Sequence, residues 1–407
     1  MSVIGKRVVV LGGCGHVGLP LGIVLAKAGF NVDLLDIDAA KIDLVNSGRM
    51  PFMERGADAL LKQLVGTNLN ATTNQECLRT SDITITVIGT PVDKHLNPTV
   101  HALYSSIDGL MEYMKDGSLL VLRSTVSPGV TRLVHKRIQA RGRDIDLAFC
   151  PERIAEGNAI EEIAQLPQII AAFEPRAMQR ARELFEKIAP SIIELEPLEA
   201  ELAKLFTNSW RYLNFAVSNQ FYMLAAAHGL DFYRIHNAVT QDYPRMRSFA
   251  TAGFAAGPCL VKDTLQLAAF SGNNFFLGHS AMLVNEGLPN FVVSQLRPYD
   301  LQDKTVAILG MAFKAESDDP RDSLAYKLKK LLEVEAKRVL CTDPYVPDNN
   351  LVPLQRAIEA ADVIVIGTPH RRYSDLQISP QKIVVDIWNQ WPHLRQVTEF
   401  ADLEDKA

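Results

Sequence analysis

Residues 7 to 11, R-V-V-V-L, form an unbroken apolar run that closes on glycines, and residues 17 to 28 then repeat apolar positions at helical spacing. Run, tight turn and periodic stretch predict strand, loop and helix. Gly29 predicts the end of that helix, and Asn31 to Leu35 a second strand ending at Asp36, so that the whole makes a right-handed parallel unit. Further apolar runs at Ile83 to Ile88, Leu119 to Leu122 and Ile145 to Phe149 predict more strands, separated by helical or loop material. Residues 1–195 therefore read as a doubly wound α/β domain.

From Pro197 to about His228 the pattern becomes one long helical stretch with Gly229 as its stop. At 1.5 Å per residue it would span roughly 45 Å. A helix of that length, apolar over much of its surface, suits a spine and a dimer contact, and it opens a helical middle domain at 196–296. Strand patterns return at Thr305 to Leu309, Arg338 to Cys341 and Asp362 to Ile366. The last domain, 297–407, echoes the first: D-I-T-I-T-V-I-G-T-P at 82 to 91 has a counterpart in D-V-I-V-I-G-T-P at 362 to 369. The predicted fold class is α/β, with two Rossmann-like doubly wound domains joined by a long central helix.

Bulk properties narrow the partners. A chain of 407 residues exceeds what one hydrophobic core supports. Its 47% hydrophobic, 22% charged and 7% aromatic residues describe an ordinary globular protein. A net charge of -5 supplies no field that would attract a nucleic acid or an anionic membrane, so any phosphate must be held locally. The cysteines, at 14, 77, 150, 259 and 341, are odd in number and scattered, with neither a C-x-x-C pair nor metal-ligand spacing. A reducing cytoplasm without a metal is the expectation. Lys6 and Arg7 precede an apolar run, but the glycines break it at once and no run reaches a membrane-spanning length, so neither a targeting segment nor a membrane association is expected.

Candidate chemistry concentrates in a few segments. Gly13-x-Gly15-x-x-Gly18 lies between a predicted strand and a predicted helix, with Asp36 closing the next strand. In that context the glycines admit a pyrophosphate to backbone N–H groups at the helix start, and the carboxylate takes ribose hydroxyls. Asp36 would repel a 2′-phosphate, which favours NAD over NADP. Cys259 sits in G-F-A-A-G-P-C-L-V-K-D-T, a bare loop that would expose it. Lys262 close behind would favour the thiolate, and Asp263 would orient or activate water. Lys204 and Asn208 are four apart on the long helix and share a face. Thr125, Glu152 and Glu156 follow strands of the first sheet, at its carboxyl edge. His16, His228 and His279 show no metal spacing and read as structural, the other four cysteines as buried, and Trp388 and Trp391 as packing.

Taken in order, G-C-G-H-V-G-L-P-L, D-I-D, V-I-G-T-P-V-D, R-S-T-V-S-P-G, C-P-E-R-I-A-E-G, E-L-A-K-L-F-T-N, G-P-C-L-V-K-D and L-G-M-A-F-K-A-E-S-D-D-P-R-D-S followed by T-D-P-Y-V resemble the nucleotide-sugar 6-dehydrogenases over nearly the whole chain. The resemblance implies a four-electron oxidation of a sugar hydroxymethyl, with Cys259 as nucleophile, Lys204 and Asn208 steadying the oxyanion, Asp263 serving the water steps and Glu152 assisting proton transfer or placing water. It implies that Gly13, Gly15, His16, Val17, Gly18, Asp36, Lys41, Thr90, Thr125 and Glu156 line NAD. It implies that Arg153, Gly257, Lys314 and Arg321 face a UDP-sugar, and that Arg245 reaches it from a neighbouring subunit of a homodimer or higher homo-oligomer.

Two features depart from the family pattern. Ala256-Gly257-Pro258 replaces the paired glycines many relatives have before the cysteine, and Asp386 is followed by Ile387, Trp388 and Asn389 where many relatives have an arginine. C-P-E-R resembles the N-acetylhexosamine branch, whereas A-E-G and V-K-D resemble the glucose branch. The substrate expectation leans to a UDP-N-acetylhexosamine, UDP-GlcNAc or UDP-ManNAc, with UDP-glucose as the alternative. A two-electron NAD hydroxyacid dehydrogenase has no use for the cysteine loop, and a dinucleotide sensor would bind without turnover.

Overall fold

A computed structural model describes residues 5–88, 100–255 and 257–392. The chain divides into two compact units, residues 1–207 with 269–271, and residues 208–268 with 272–407.

The first unit opens with β1 (Arg7–Leu11), α1 (Gly18–Lys27), β2 (Asn31–Leu35), α2 (Ala39–Asn46), α3 (Ala57–Leu64), β3 (Leu69–Thr72) and β4 (Ile83–Thr86). It continues through α4 (Val100–Tyr113), β5 (Ser118–Leu122), α5 (Val130–Ala140), β6 (Ile145–Phe149), α6 (Ala159–Gln165), β7 (Gln168–Ala172), α7 (Pro175–Phe185) and β8 (Ile192–Leu195). The eight strands lie in the order β3-β2-β1-β4-β5-β6-β7-β8. The order reverses at β1, so the loops after β1 and β4 flank the switch point where open α/β sheets bind ligands. β4, β5, β6 and β7 bury every side chain because helices cover both faces of the sheet.

Gly29 ends α1 as the sequence predicts: at φ 95° it sends its N–H to the Ala26 carbonyl at 3.0 Å, and Phe30 N–H reaches Leu25 at 3.2 Å. One pairing departs from a uniform parallel sheet, since β7 runs antiparallel to β6. An antiparallel neighbour must start at the edge where its partner ended. Residues 150–167 therefore stay on the carboxyl edge, which is what keeps Glu152, Arg153 and Glu156 there.

α8 (Pro197–Ala227) leaves the first unit and is the long predicted helix. Gly229, at φ 66°, turns the chain out of it. The second unit then carries α9 (Phe232–Thr240), α10 (Leu260–Phe270), α11 (Phe276–Leu296), β9 (Thr305–Leu309), α12 (Leu324–Glu335), β10 (Arg338–Thr342), α13 (Leu354–Ala360), β11 (Val363–Ile366) and β12 (Ile383–Val385). Its all-parallel sheet has the order β10-β9-β11-β12, a small version of the first. Among the described residues no helix is long and apolar enough to cross a membrane.

Candidate active site

The turn after β1 is held from below. Gly12 and Gly13 donate to the Leu35 carbonyl at 2.9 and 3.2 Å, and Cys14 N–H donates to Asp36 Oδ2 at 2.9 Å. The three glycines of the motif then differ in what they require. A Cβ on Gly13 would stand 2.7 Å from the Leu34 backbone, and one on Gly18 would stand 2.3 Å from the Gly12 carbonyl oxygen. Both are glycines because the protein itself leaves no room. A Cβ on Gly15 meets only the Gly12 oxygen, at an ordinary 3.5 Å. The protein gives no steric reason for a glycine there, so the open space fits a ligand that approaches the backbone.

α1 begins after Val17 without a side-chain cap; Leu19 N–H goes to the Gly15 carbonyl at 3.0 Å and Pro20 has no N–H, so Gly18 supplies the first-turn N–H for an anion. Asp36 accepts from Cys14, and through Oδ1 from Ile37 at 2.8 Å and Asp38 at 3.1 Å. A carboxylate offers about four acceptor directions, so capacity remains for a ribose hydroxyl. Ile37 beside it is 98% exposed, an apolar side chain whose position the sequence reading passed over. Lys41 lies at the start of α2, its N–H on the Asp38 cap. The His16 ring lies against Phe52, centroids 4.1 Å apart and planes tilted by 32°. Thr90 lies outside the described residues.

Along the carboxyl edge of β5 and β6, Arg123 turns out to be the organiser. It is 2% exposed, lies against the Phe185 ring, and donates to Cys150 O, to Gln168 Oε1 and to Glu152. The other oxygen of Glu152 accepts the N–H groups of Arg153 at 2.7 Å and Ile154 at 3.0 Å. Oε1 thus shapes the loop, and with one bond from Arg123 on Oε2 the carboxylate keeps capacity for a further partner. Arg153 donates to the Pro167 carbonyl, and burial lowers its pKa. Glu54, also buried, takes the N–H groups of Gly157 and Ala159 at 2.9 and 2.7 Å and fixes the far end of the same loop. Thr125 and Glu156 lie half-buried in these two segments.

In the second unit Cys259 is exposed and immediately precedes α10, its carbonyl accepting Asp263 N–H at 2.9 Å. A helix start concentrates partial positive charge that stabilises a thiolate. The Lys262 ammonium stands 2.8 Å from Asp263 Oδ1. Asn208 donates to Asp263 Oδ2 at 2.5 Å, and both residues are buried. One N–H of Asn208 remains for another acceptor, and Lys204 lies one turn earlier on α8.

The cysteine loop rests on rings from the last domain. A Cβ on Gly253, at φ 155°, would stand 2.1 Å from the Trp388 indole, and one on Gly257, at φ 103°, 2.6 Å from the Phe313 ring. Gly253 N–H donates to Asn219 Oδ1 at 2.9 Å, and Asn219 in turn donates to Asn285, both fully buried. Trp388 belongs to the departing Asp386 segment, so its role here is support. Lys314 sits over Phe313 at 5.5 Å, Arg321 is locked to Asp319, and Arg245 is exposed beside Tyr243. Cys14, Cys150 and Cys341 are buried as expected, whereas Cys77 is only half-buried. No cluster of metal ligands occurs among the described residues.

Three family models match in succession: the UDP-glucose/GDP-mannose dehydrogenase NAD binding domain at residues 6–189, the central domain at 198–286 and the UDP binding domain at 307–393. A UDP-N-acetyl-D-mannosamine dehydrogenase of Pyrococcus horikoshii is 30% identical over 385 residues, covering 91% of each chain. The chain belongs to the UDP-glucose/GDP-mannose dehydrogenase family. It is an NAD-dependent UDP-sugar dehydrogenase, with two Rossmann-like sheets and a central long helix as its α/β fold. The solved structure of a Pyrococcus horikoshii UDP-ManNAc dehydrogenase superposes with a TM-score of 0.85 at 30% identity over 91% of each chain. That of a UDP-glucose dehydrogenase from Pyrobaculum islandicum gives 0.86 at 26% identity over 94% of each. NAD fits the cradle at Gly15, the uncapped start of α1 and the remaining acceptor capacity of Asp36.

Proposed function

We propose that this dehydrogenase oxidises the C6 hydroxymethyl of a UDP-N-acetylhexosamine to the carboxylate in two steps, with Cys259 holding the carbon between them. NAD, when bound, accepts a hydride in each step. The Cys259 thiol adds to the aldehyde as a thiohemiacetal, the second oxidation leaves a thioester, and water then releases the acid and restores the thiol. The remaining N–H of Asn208 and the Lys204 ammonium stabilise the oxyanion. Asp263, buried against Asn208 and Lys262, holds both groups in place and serves the water steps. Arg123 and Glu54 keep the 152–159 loop, with Glu156 and Arg153, fixed at the sheet edge.

The observation that carries this reading is an exposed thiol at a helix start, with a buried carboxylate paired to a buried amide and a half-buried ammonium in the first turn behind it. The N-acetylhexosamine preference rests on the C-P-E-R opening and on relatives named for N-acetylmannosamine. UDP-glucose is the second reading, favoured by the Pyrobaculum structure. On the same footing we place the domain boundaries at 195 and 296, and the protein in a reducing cytoplasm. Phe206, Trp210, Val217, Phe221 and Leu224, exposed at helical spacing along α8, support a homodimer through that helix.

A panel of UDP and GDP sugars, scored for NADH formed per molecule consumed, tests the reading. The expected result is two NADH per sugar, with little acid from Cys259→Ser. One NADH and a released aldehyde would overturn the mechanism.

A further inference from the structure

His370 is completely buried in the second unit and joins three separate segments. Its Nδ1 accepts the Glu316 N–H at 3.0 Å, and its Nε2 lies 3.1 Å from Asp343 Oδ2. A ring nitrogen that accepts an N–H carries no proton, so Nε2 is the protonated one and donates to Asp343. The same Asp343 oxygen accepts Met311 N–H at 2.6 Å and Ala312 N–H at 3.1 Å, while Oδ1 takes Tyr345 and Val346. Thr368 Oγ1 donates to the Ala312 carbonyl at 2.5 Å. The start of the 311–319 loop is therefore clamped by Asp343 and Thr368, and its middle by His370.

That middle is strained. Glu316 has φ 55°, the left-handed region that costs a side-chain-bearing residue free energy. It is held there by the bond to His370 and by Arg371 N–H, which reaches Glu316 Oε1 at 2.9 Å. The loop so shaped carries Lys314 two residues earlier, and its Phe313 ring closes on Gly257, two residues before Cys259. A change at His370 is thus transmitted to Lys314 through the backbone of the loop that carries both Glu316 and the lysine.

We infer that His370, through the Glu316 N–H, is the positioning residue that sets the 311–319 loop for the nucleotide sugar. The inference rests on the reading above, in which Lys314 faces that substrate. Two substitutions separate the ends of the imidazole. In His370→Asn the side-chain oxygen falls near the Nδ1 position and keeps an acceptor for Glu316. In His370→Gln the terminal amide falls near Nε2 and serves Asp343 alone.

The test uses the full chain, with steady-state kinetics against the best UDP-sugar of the panel, calorimetric binding of UDP, and thermal melting as a fold control. His370→Gln should raise the KM for the UDP-sugar and the Kd for UDP on the order of tenfold, as loss of one buried hydrogen bond does, with kcat and the NAD KM within about twofold. His370→Asn should recover most of that affinity. Should a His370 variant fail to fold, Glu316→Pro carries the test, because it removes the N–H and forbids φ 55° at a half-exposed position; the same rise in KM is expected. A folded His370→Gln, or Glu316→Pro, with wild-type KM and UDP affinity overturns the inference alone. A wild-type chain that neither turns over a UDP-sugar nor binds UDP overturns the reading it rests on, and the inference with it.

Discussion

Alanine at Gly15 and alanine at Gly18 are the same chemical change three residues apart with different consequences, because neither glycine has a positive φ and only the surroundings differ. At Gly18 the new carbon would lie 2.3 Å from the Gly12 oxygen and 2.8 Å from Gly13 Cα, so α1 must move off the sheet. Overpacking of that kind costs about 1–3 kcal/mol of stability. At Gly15 the methyl stands clear of the protein, and the smaller entropy of the unfolded chain should leave stability unchanged or raised by up to about 1 kcal/mol. The same methyl occupies the space a pyrophosphate needs. Losing one or two charge-assisted N–H bonds removes about 3 kcal/mol of binding, on the order of a hundredfold in Kd. Calorimetric titration with NAD and thermal melting of both variants without ligand check this. Wild-type NAD affinity in Gly15→Ala, or a loss of stability equal to that of Gly18→Ala, would refute the assignment of the cradle.

Iodoacetamide near pH 7.5 should label Cys259 first, read by peptide mass spectrometry, because burial pushes Cys14, Cys150 and Cys341 up to about 12 and Cys77 up to about 11; equal labelling of Cys77 would contradict it. Burial pushes Asp343 up but is outweighed by His370 and by the Met311 and Tyr345 N–H groups, which hold its carboxyl at about 2. A depressed carboxyl contributes stability that is fully present above about pH 4 and lost as pH falls through about 2, here about 2 kcal/mol. The stability gap between wild type and Asp343→Asn, followed by urea titration, should shrink over that window, and a flat gap would count against it. Trp388→Ala should lower stability by about 3 kcal/mol and slow turnover with it, since the indole supports Gly253; unchanged kcat in the folded variant would argue that the cysteine loop stands without it. Trp210→Asp should shift the species seen by light scattering toward monomer, given the exposed stripe on α8.

Much of the fold was readable because its signals are local. Apolar runs marked β1, β2, β4, β5 and β6, glycines at 29 and 229 marked helix ends, and the spacing of Gly13, Gly15, Gly18 and Asp36 needed only the neighbouring elements to make sense. β3 and β8 escaped because four residues with polar members, L-N-A-T and I-I-E-L, are too short to declare a period. The antiparallel turn of β7 escaped because direction is set by partners, not by the strand's own residues. Within the site the exposure of Cys259 was legible from its bare loop. The polar groups that shape the loops of each unit were not: Arg123, Glu54, Asn219 and His370 are buried and their partners lie tens of residues away.

Asp36 and Asp343 close equivalent strands of the two sheets and both reach back to the N–H groups of the turn after the first strand. Asp36 keeps acceptor capacity. Asp343 has none left, because His370, Met311, Ala312, Tyr345 and Val346 fill both oxygens. Duplicated architecture has thus been spent twice: once as a socket, and once with the socket plugged by the chain's own groups. Converting the second sheet into another dinucleotide site by grafting glycines would fail for that reason, since the residue that ought to greet the ribose is already a keystone.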